Sequence, residues 1–483
     1  MNAGVKAGRA NFEEKHPANL GRKSVRVYTK AASELTESNE KYGKTSRGTL
    51  KRVAPYLISL SAIPVTVIIS RPVFWLSSAA ASMLPLAVFA PKGMTPLFVL
   101  TAVAATAGHI AARRALPPMP VRFGDALFAF VLFAAASALW SLTPTQSFQA
   151  VWPVAGIFLG IIVLVGLART LDLAEKVKVG RALLIGTGVG LVLLLIEKTT
   201  GHSILRASTW ILNINAEVED FKLKPATTIA AMLVWPILLL LNAKGVGRVW
   251  LFTIAIAAFG VIAFAGSDAS ILGLVLGGAA FGLALRWRLA TGMALGTILT
   301  VLMIAAPWVP GLFPDPKVSM TGIAYLPNSG VHRILIWQTT AKHIHDRPWI
   351  GHGFDTSRSL YSSGTSIKVD LAGPMIGRLE GVTSEPIPLH PHNMLLQIWL
   401  ELGAIGAGLM MAAMWAVLFA LSRGLMQPTE RAAGYGFVVM ALAIAAVAYS
   451  AWQAWWLSAL GLSAAMFIAA LSREEKSSGS FGF

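Results

Sequence analysis

The sequence predicts an all-α integral membrane protein of about twelve transmembrane helices, with a large, partly helical outer loop before the last three-helix group. Three observations lead there. Hydrophobic residues fill 55% of the 483 positions and charged residues only 13%, against about 25% charged in soluble domains. Apolar runs of the length a bilayer demands, ~20 residues for a ~30 Å core, recur along most of the chain. The short loops between these runs alternate between basic and free of Lys and Arg. In lipid an unpaired backbone amide costs several kcal/mol, so such runs are helices, which satisfy their own backbone.

From the N-terminus, residues 1–52 carry twelve Lys and Arg between Lys6 and Arg52 and no long apolar run. This segment reads as a disordered basic cytoplasmic tail that fixes orientation and attracts membrane lipids. The formal net charge of +17 therefore points to the membrane surface and to no nucleic acid.

Thirteen apolar runs follow, at 53–70, 73–90, 94–112, 123–141, 147–168, 179–197, 226–243, 248–266, 269–286, 289–307, 393–421, 433–450 and 452–471. Basic loops at Arg113-Arg114, Arg169 to Arg181, Lys244 and Arg248, Arg286 and Arg288, Arg423 and Arg431, and Arg473 with Lys476 are each two runs apart. Every second loop is then cytoplasmic. Only the start breaks the alternation, because three runs precede Arg113. Residues 53–90, interrupted by Arg71-Pro72, are expected to supply one crossing and one re-entrant or interfacial piece. That makes twelve crossings with both termini cytoplasmic. The chain divides into a tail (1–52), helices one to nine (53–307), a loop region (308–392), helices ten to twelve (393–471) and a C-terminal tail (472–483).

The 308–392 loop is too long to be a plain connector. Ile334, Trp337, Ala341 and Ile344 form one stripe of a helix over 332–346, a pattern suited to lying on the membrane surface. The chain has no cysteine, which removes disulfide and thiolate chemistry. Six of the nine histidines, His332, His343, His345, His352, His390 and His392, fall in this loop. Histidine suits proton transfer near neutral pH and also binds metals. The spacing lacks a His-Glu-x-x-His pattern and offers only two His-x-His pairs, which favours proton transfer over a zinc site.

His392 precedes Asn393, Gln397 and Glu401, which recur every four residues on one face of the next helix. A polar stripe on a spanning helix should face the bundle interior or a wet cavity, with His392 at its mouth. Hydrogen-bonded glue between helices is the competing reading for Gln397 and Glu401. Arg333 opens the amphipathic helix, and Pro348, Gly351 and Gly353 close it with a turn. Its planar fork suits a phosphate or pyrophosphate; interfacial snorkelling accounts for it equally well. A second outer loop, 198–225, adds Arg206, Lys222 and Lys224, as anion contacts or as interfacial anchors. Asp268, beside Ser267 and Ser270, reads as a cap for the following helix.

These residues carry a resemblance. His392-Asn393, nine residues, then Gly403-Ala404-Ile405-Gly406 resembles the His-Asn-x9-Gly-x-x-Gly signature of the bacterial O-antigen ligase and polymerase superfamily. Arg333-Ile334-Leu335-Ile336-Trp337, followed by Pro348-Trp349-Ile350-Gly351-His352-Gly353, is similar to a stretch of that family's large periplasmic loop. The resemblance covers roughly 200–471, with its motifs confined to 333–406.

The resemblance implies a glycosyltransferase of the cell inner membrane that moves a glycan from an undecaprenyl-diphosphate carrier to an acceptor hydroxyl on the periplasmic face. The acceptor would be lipid A-core in a ligase and another repeat unit in a polymerase. It implies His392 as general base and Arg333 as a cation for the diphosphate. Lys224, Arg206 and Asn393 would be further substrate contacts. Trp337, Pro348, Gly351, Gly353, His390, Gln397, Glu401, Gly403 and Gly406 would frame the site, with no cofactor and no metal. Two departures stand out: Lys222-Leu223-Lys224-Pro225 lies where family members place an arginine, and Ser270 is followed by Ile271 rather than arginine. A transporter or flippase for lipid-linked sugars is the alternative, but transporters tend to show repeats and broken helices near the bilayer centre. A non-catalytic scaffold for envelope assembly would leave the histidine cluster without a role.

Overall fold

The structure is a computed structural model that describes residues 71–119, 121–211, 220–314, 328–361, 367–368, 383–384, 389–424 and 426–472, all within the unit Ile69–Phe483. Its helices are α1 (Pro72–Phe89), α2 (Met94–Arg113), α3 (Val121–Ala136), α4 (Pro144–Thr170), α5 (Leu173–Thr199), α6 (Ser203–Ile211), α7 (Lys224–Ala243), α8 (Arg248–Phe264), α9 (Asp268–Arg286), α10 (Arg288–Ala305), α11 (Asn328–Asp346), α12 (Ser357–Tyr361), α13 (Met394–Arg423), α14 (Pro428–Val447) and α15 (Ala454–Ala470). A two-residue antiparallel pair, β1 (Ile367–Lys368) with β2 (Thr383–Ser384), is the only strand structure among the described residues.

The fold is that of an all-α integral membrane protein. Among the described residues nine helices are long and apolar enough to cross a membrane, and α8, α10 and α15 are shorter apolar helices. The tail at 1–52, the run at 53–70 with its expected crossing or re-entrant piece, and residues 473–483 lie outside the described residues. The break at Arg71-Pro72 is where α1 begins: Arg71 is extended (φ −93°, ψ 131°) and Pro72 is the first helical residue, a position where a missing N–H costs nothing.

Between helices in lipid, hydrophobicity gives little preference, and close approach of small residues decides the pairing. Gly186 and Gly190 of α5 lie against the Ala81 backbone and Leu84 of α1, while Gly273 and Gly277 of α9 meet Ile444, Met440 and the Gly436 carbonyl on α14. Each pair is four residues apart and so shares one helix face.

Some boundaries differ from the apolar runs for identifiable reasons. Helix α5 starts at Leu173 rather than near 179 because Asp172 and Glu175 form a capping box: the Glu175 N–H donates to Asp172 Oδ1 at 2.8 Å and the Asp172 N–H to Glu175 Oε2 at 3.1 Å. Its first turns hold Lys176, Lys178 and Arg181, which a hydropathy scan rejects. Helix α14 begins at Pro428, and its buried Arg431 donates to the Leu421, Gly424 and Met426 carbonyls. The chain from 433 to 471 was expected to break only near 451, yet the structure opens a loop over 448–453.

Helix α11 is also placed differently. Ile334, Ala341 and Ile344 are buried and Trp337 packs against the core, and the helix lies against α13. The amphipathic stripe docks on protein, not on the membrane surface as its pattern suggested. Periodicity marks an apolar face without saying what covers it.

Candidate functional site

The site is built on a break in α13. Gly403 has φ 61° and ψ −161° inside that helix, so several backbone groups lose their helical partners. The turn after α11 supplies replacements: the His352 N–H donates to the Leu400 carbonyl (2.9 Å) and the Gly353 N–H to that of Glu401 (2.8 Å). In return the Ala404 N–H donates to the Pro348 carbonyl (2.8 Å) and the Ile405 N–H to that of Trp349 (3.2 Å). A broken helix at membrane depth is tolerated where protein satisfies it in this way. On its far side the turn is held by Trp140 Nε1, which donates to the Ile350 carbonyl at 3.2 Å. The Phe354 N–H also donates to Ser137 Oγ at 2.9 Å. Gly353 sits against Ser141, and Gly406 against Leu402 of its own helix. The two stretches carrying the family resemblance are thus the two halves of one joint.

Below the joint, Gln397 and Glu401 are 1% and 0% exposed. Glu401 Oε1 accepts from Ser357 Oγ (2.6 Å) and Gln397 Nε2 (3.0 Å), and its Oε2 accepts from the Asp355 N–H (2.7 Å) and Trp452 Nε1 (2.6 Å). Gln397 Oε1 accepts from Ser450 Oγ (3.1 Å) and the Ala451 N–H (2.8 Å). The stripe faces the interior as expected, where it meets a hydrogen-bond network. Asn393 is its continuation only in sequence. It is the N-cap of α13, with Oδ1 accepting from the Leu395 and Leu396 N–H groups (3.0 and 3.2 Å), which leaves its amide nitrogen for any substrate contact.

The Gln397–Glu401 network holds the 448–453 loop, and that loop orients His392. His392 Nδ1 lies 3.1 Å from the Ala448 carbonyl. A carbonyl can only accept, so Nδ1 carries the proton and the neutral ring has its lone pair on Nε2. The residue is half-buried in a left-handed backbone conformation (φ 52°), which is uncommon for a side chain of this kind. His390 packs against it, the rings tilted by 58° with centroids 4.2 Å apart. Its Nδ1 accepts the His392 N–H at 3.2 Å. Burial first, then His392 and Arg358, brings the His390 pKa down to about 3, so this imidazole stays neutral.

Trp337 ties α11 to the same point, since its Nε1 donates to the Pro391 carbonyl at 3.0 Å. Arg333 lies one turn earlier on the same face. Burial lowers the Arg333 pKa from its ordinary value and Asp268 opposes that shift. Asp268 is therefore an electrostatic neighbour of Arg333, and the N-cap of α9 is Ser267. A hydroxyl chain continues from there: Ser267 to Ser270 (2.8 Å), Ser270 to Thr228 (3.2 Å), and Thr228 to Tyr449 (2.9 Å). Tyr449 adjoins Ala448. Lys224, exposed at the start of α7, stands one turn before Thr228. The contacts that gather these groups do not include Arg206, which is exposed on α6, a helix whose first turn is held by Glu197 through the Ile204 and Leu205 N–H groups.

Sequence reasoning missed four contributors. The Ala448 carbonyl, Ser450 and Trp452 were hidden in the adjoining ends of the apolar runs 433–450 and 452–471. The fourth is the pair Asp355 and Arg358, in which Arg358 Nε donates to Asp355 Oδ1 at 3.1 Å; their opposite charges three residues apart were a legible signal. Burial pushes the Asp355 carboxyl above the usual carboxylate range while Arg358 pulls it down. Two further histidines serve the backbone, as His352 Nε2 meets the His343 carbonyl (2.8 Å) and His345 Nδ1 that of Ala341 (2.6 Å), while His343 Nδ1 lies 3.6 Å from Asp346 Oδ2. Among the described residues no three His, Asp or Glu side chains converge as a metal site would require. The arrangement holds the His392 imidazole in one orientation where α11 meets the 390–392 segment.

Comparison with known proteins agrees with the motifs. Residues 226–411 match the family described as O-antigen ligase. A Rickettsia prowazekii protein named "Putative polysaccharide ligase" is 30% identical over 230 residues, 46% of this chain and 52% of that protein. The match thus spans about half of that relative's length. A Rickettsia felis protein of the same name is 25% identical over 333 residues, 68% of this chain and 76% of its own.

Proposed function

We propose, from the premise that this chain belongs to the O-antigen ligase superfamily through residues 226–411, that it transfers a glycan from an undecaprenyl-diphosphate carrier to an acceptor hydroxyl. The reaction would take place on the periplasmic face of the inner membrane, with both termini cytoplasmic. The observation that carries the reading is the Nδ1 contact of His392 with the Ala448 carbonyl, which orients the imidazole at the same end of the bundle as Arg333.

In this reading His392 Nε2 takes the proton of the acceptor hydroxyl as that oxygen bonds to the anomeric carbon. The bond from the anomeric carbon to the diphosphate oxygen breaks, and the electron pair leaves with the diphosphate. Arg333 meets the charge that develops there, which lowers the barrier most when the cation is already in place. Lys224 adds a point charge, and Arg206 and the Asn393 amide are further substrate contacts. The acceptor is lipid A-core in the ligase form of this proposal and a repeat unit in the polymerase form.

Replacing His392 with alanine and analysing surface glycans tests it. Loss of core-attached long chains with build-up of polymerised carrier-linked glycan supports a ligase, and loss of chain extension supports a polymerase. Wild-type glycans from a normally expressed variant would remove the catalytic role of His392.

A further inference from the structure

Arg358 is anchored far more elaborately than an exposed arginine needs. Its side chain is 53% exposed, while that of its partner Asp355 is 13% exposed. Asp355 holds a left-handed backbone conformation (φ 57°), which a non-glycine residue keeps only where the surroundings impose it. The imposing group is Glu401: it accepts the Asp355 N–H on one oxygen and the Ser357 hydroxyl on the other, so both residues flanking the base of the Arg358 turn are fastened to a fully buried carboxyl. An exposed ion pair three residues apart contributes little stability and does not account for this construction.

Among the described residues the guanidinium is engaged through Nε, on Asp355 Oδ1. Among the described residues its two terminal nitrogens have no hydrogen-bond partner. The same Glu401 holds Trp452, in the loop whose Ala448 carbonyl orients His392. Arg358 is also one of the charges that keep His390 neutral, and the His390 ring packs against that of His392. Arg333 stands one turn before Trp337, which holds Pro391, and Arg358 stands on α12 just after the turn that contains Gly353.

We propose that Arg358 is a second guanidinium contact for the diphosphate of the lipid-borne donor, with Asp355 and Glu401 as the residues that present it. This rests on the glycan-transfer reading above. The planar fork suits such a ligand, since Nε can keep Asp355 while the terminal nitrogens take phosphate oxygens. Two cations from different elements also match the charge of a diphosphate better than Arg333 alone.

The test uses the full chain in lipid nanodiscs, with undecaprenyl-diphosphate-linked glycan as donor in transfer assays and undecaprenyl diphosphate or inorganic pyrophosphate as binding probes. Arg358→Ala is expected to raise the donor KM at least about tenfold, in line with losing a hydrogen bond to a charged group, with a smaller change in kcat. Arg358→Lys should recover part of the loss. Weaker binding of both probes places the contact on the diphosphate itself, and weaker binding of the lipid probe alone places it on the membrane-borne donor. If Arg358→Ala does not fold, Arg358→Gln, which keeps a donor for Asp355, gives the same readout. A variant with the wild-type melting temperature, donor KM and probe affinity overturns the proposal while leaving the parent reading intact. Wild-type protein that neither transfers the glycan nor binds either probe overturns both.

Discussion

Gly351 and Gly403 each occupy the space that the other's chain segment leaves open. Both have left-handed backbone conformations (φ 67° and 61°). A Cβ on Gly403 would run into the Trp349–Ile350 backbone, and one on Gly351 into the Glu401–Leu402 backbone. Backbone atoms cannot swing away as a flexible side chain does, so the joint admits no methyl group on either side.

Gly403→Ala and Gly351→Ala should therefore each separate the turn from α13. Strain at positive φ alone costs of order 1–3 kcal/mol, and the backbone clash adds to it. Activity should be lost and the melting temperature should fall by several degrees in each single variant. The double variant should cost little more than either, because one joint is broken once. Alanine variants with wild-type melting and activity would refute the joint.

Gln397 and Glu401 are expected to position His392 through the 448–453 loop. Gln397→Leu strands Ser450 Oγ and the Ala451 N–H, and one unsatisfied buried group costs roughly 1–3 kcal/mol. The expected signature is a lower kcat with little change in donor KM, because the base moves while the cations stay. Steady-state kinetics on purified protein decides it: a rise in KM with kcat intact would point to a donor contact instead.

His390 gives a pH dependence of stability. Its pKa falls from 6.5 to about 3 on folding, so the unfolded chain binds this proton over a range where the folded chain does not. Stability from this group is fully present above pH 6.5 and declines as pH drops from 6.5 toward 3, at up to about 1.4 kcal/mol per pH unit. His390→Asn keeps an acceptor for the His392 N–H and removes the titration. Melting curves at pH 7.5 and 4.5 should show a larger loss for wild type than for the variant, and equal losses would count against the assignment.

Arg333→Lys is expected to retain charge and lose the planar fork. A fall of about tenfold in kcat/KM, with Arg333→Ala lower still, follows from losing one charge-assisted hydrogen bond. Comparable kinetics for the lysine variant would mean that a point charge is enough.

The sequence by itself determined the solvent and the fold class. Apolar runs with few charges dictate membrane helices because lipid offers the backbone no other partner, and among the described residues nine helices fit that rule. His392, Arg333 and the glycine positions were legible because each rests on a local property: titration near neutrality, a fixed fork of donors, or freedom at positive φ. Tertiary structure alone decided how they combine. That the 348–353 turn repairs a break in α13, that Glu401 is a clasp rather than a cavity wall, and that the Ala448 carbonyl selects the His392 tautomer all depend on backbone groups. Every residue carries the same carbonyl and nearly every residue the same N–H, so no pattern of side chains announces which of them will meet.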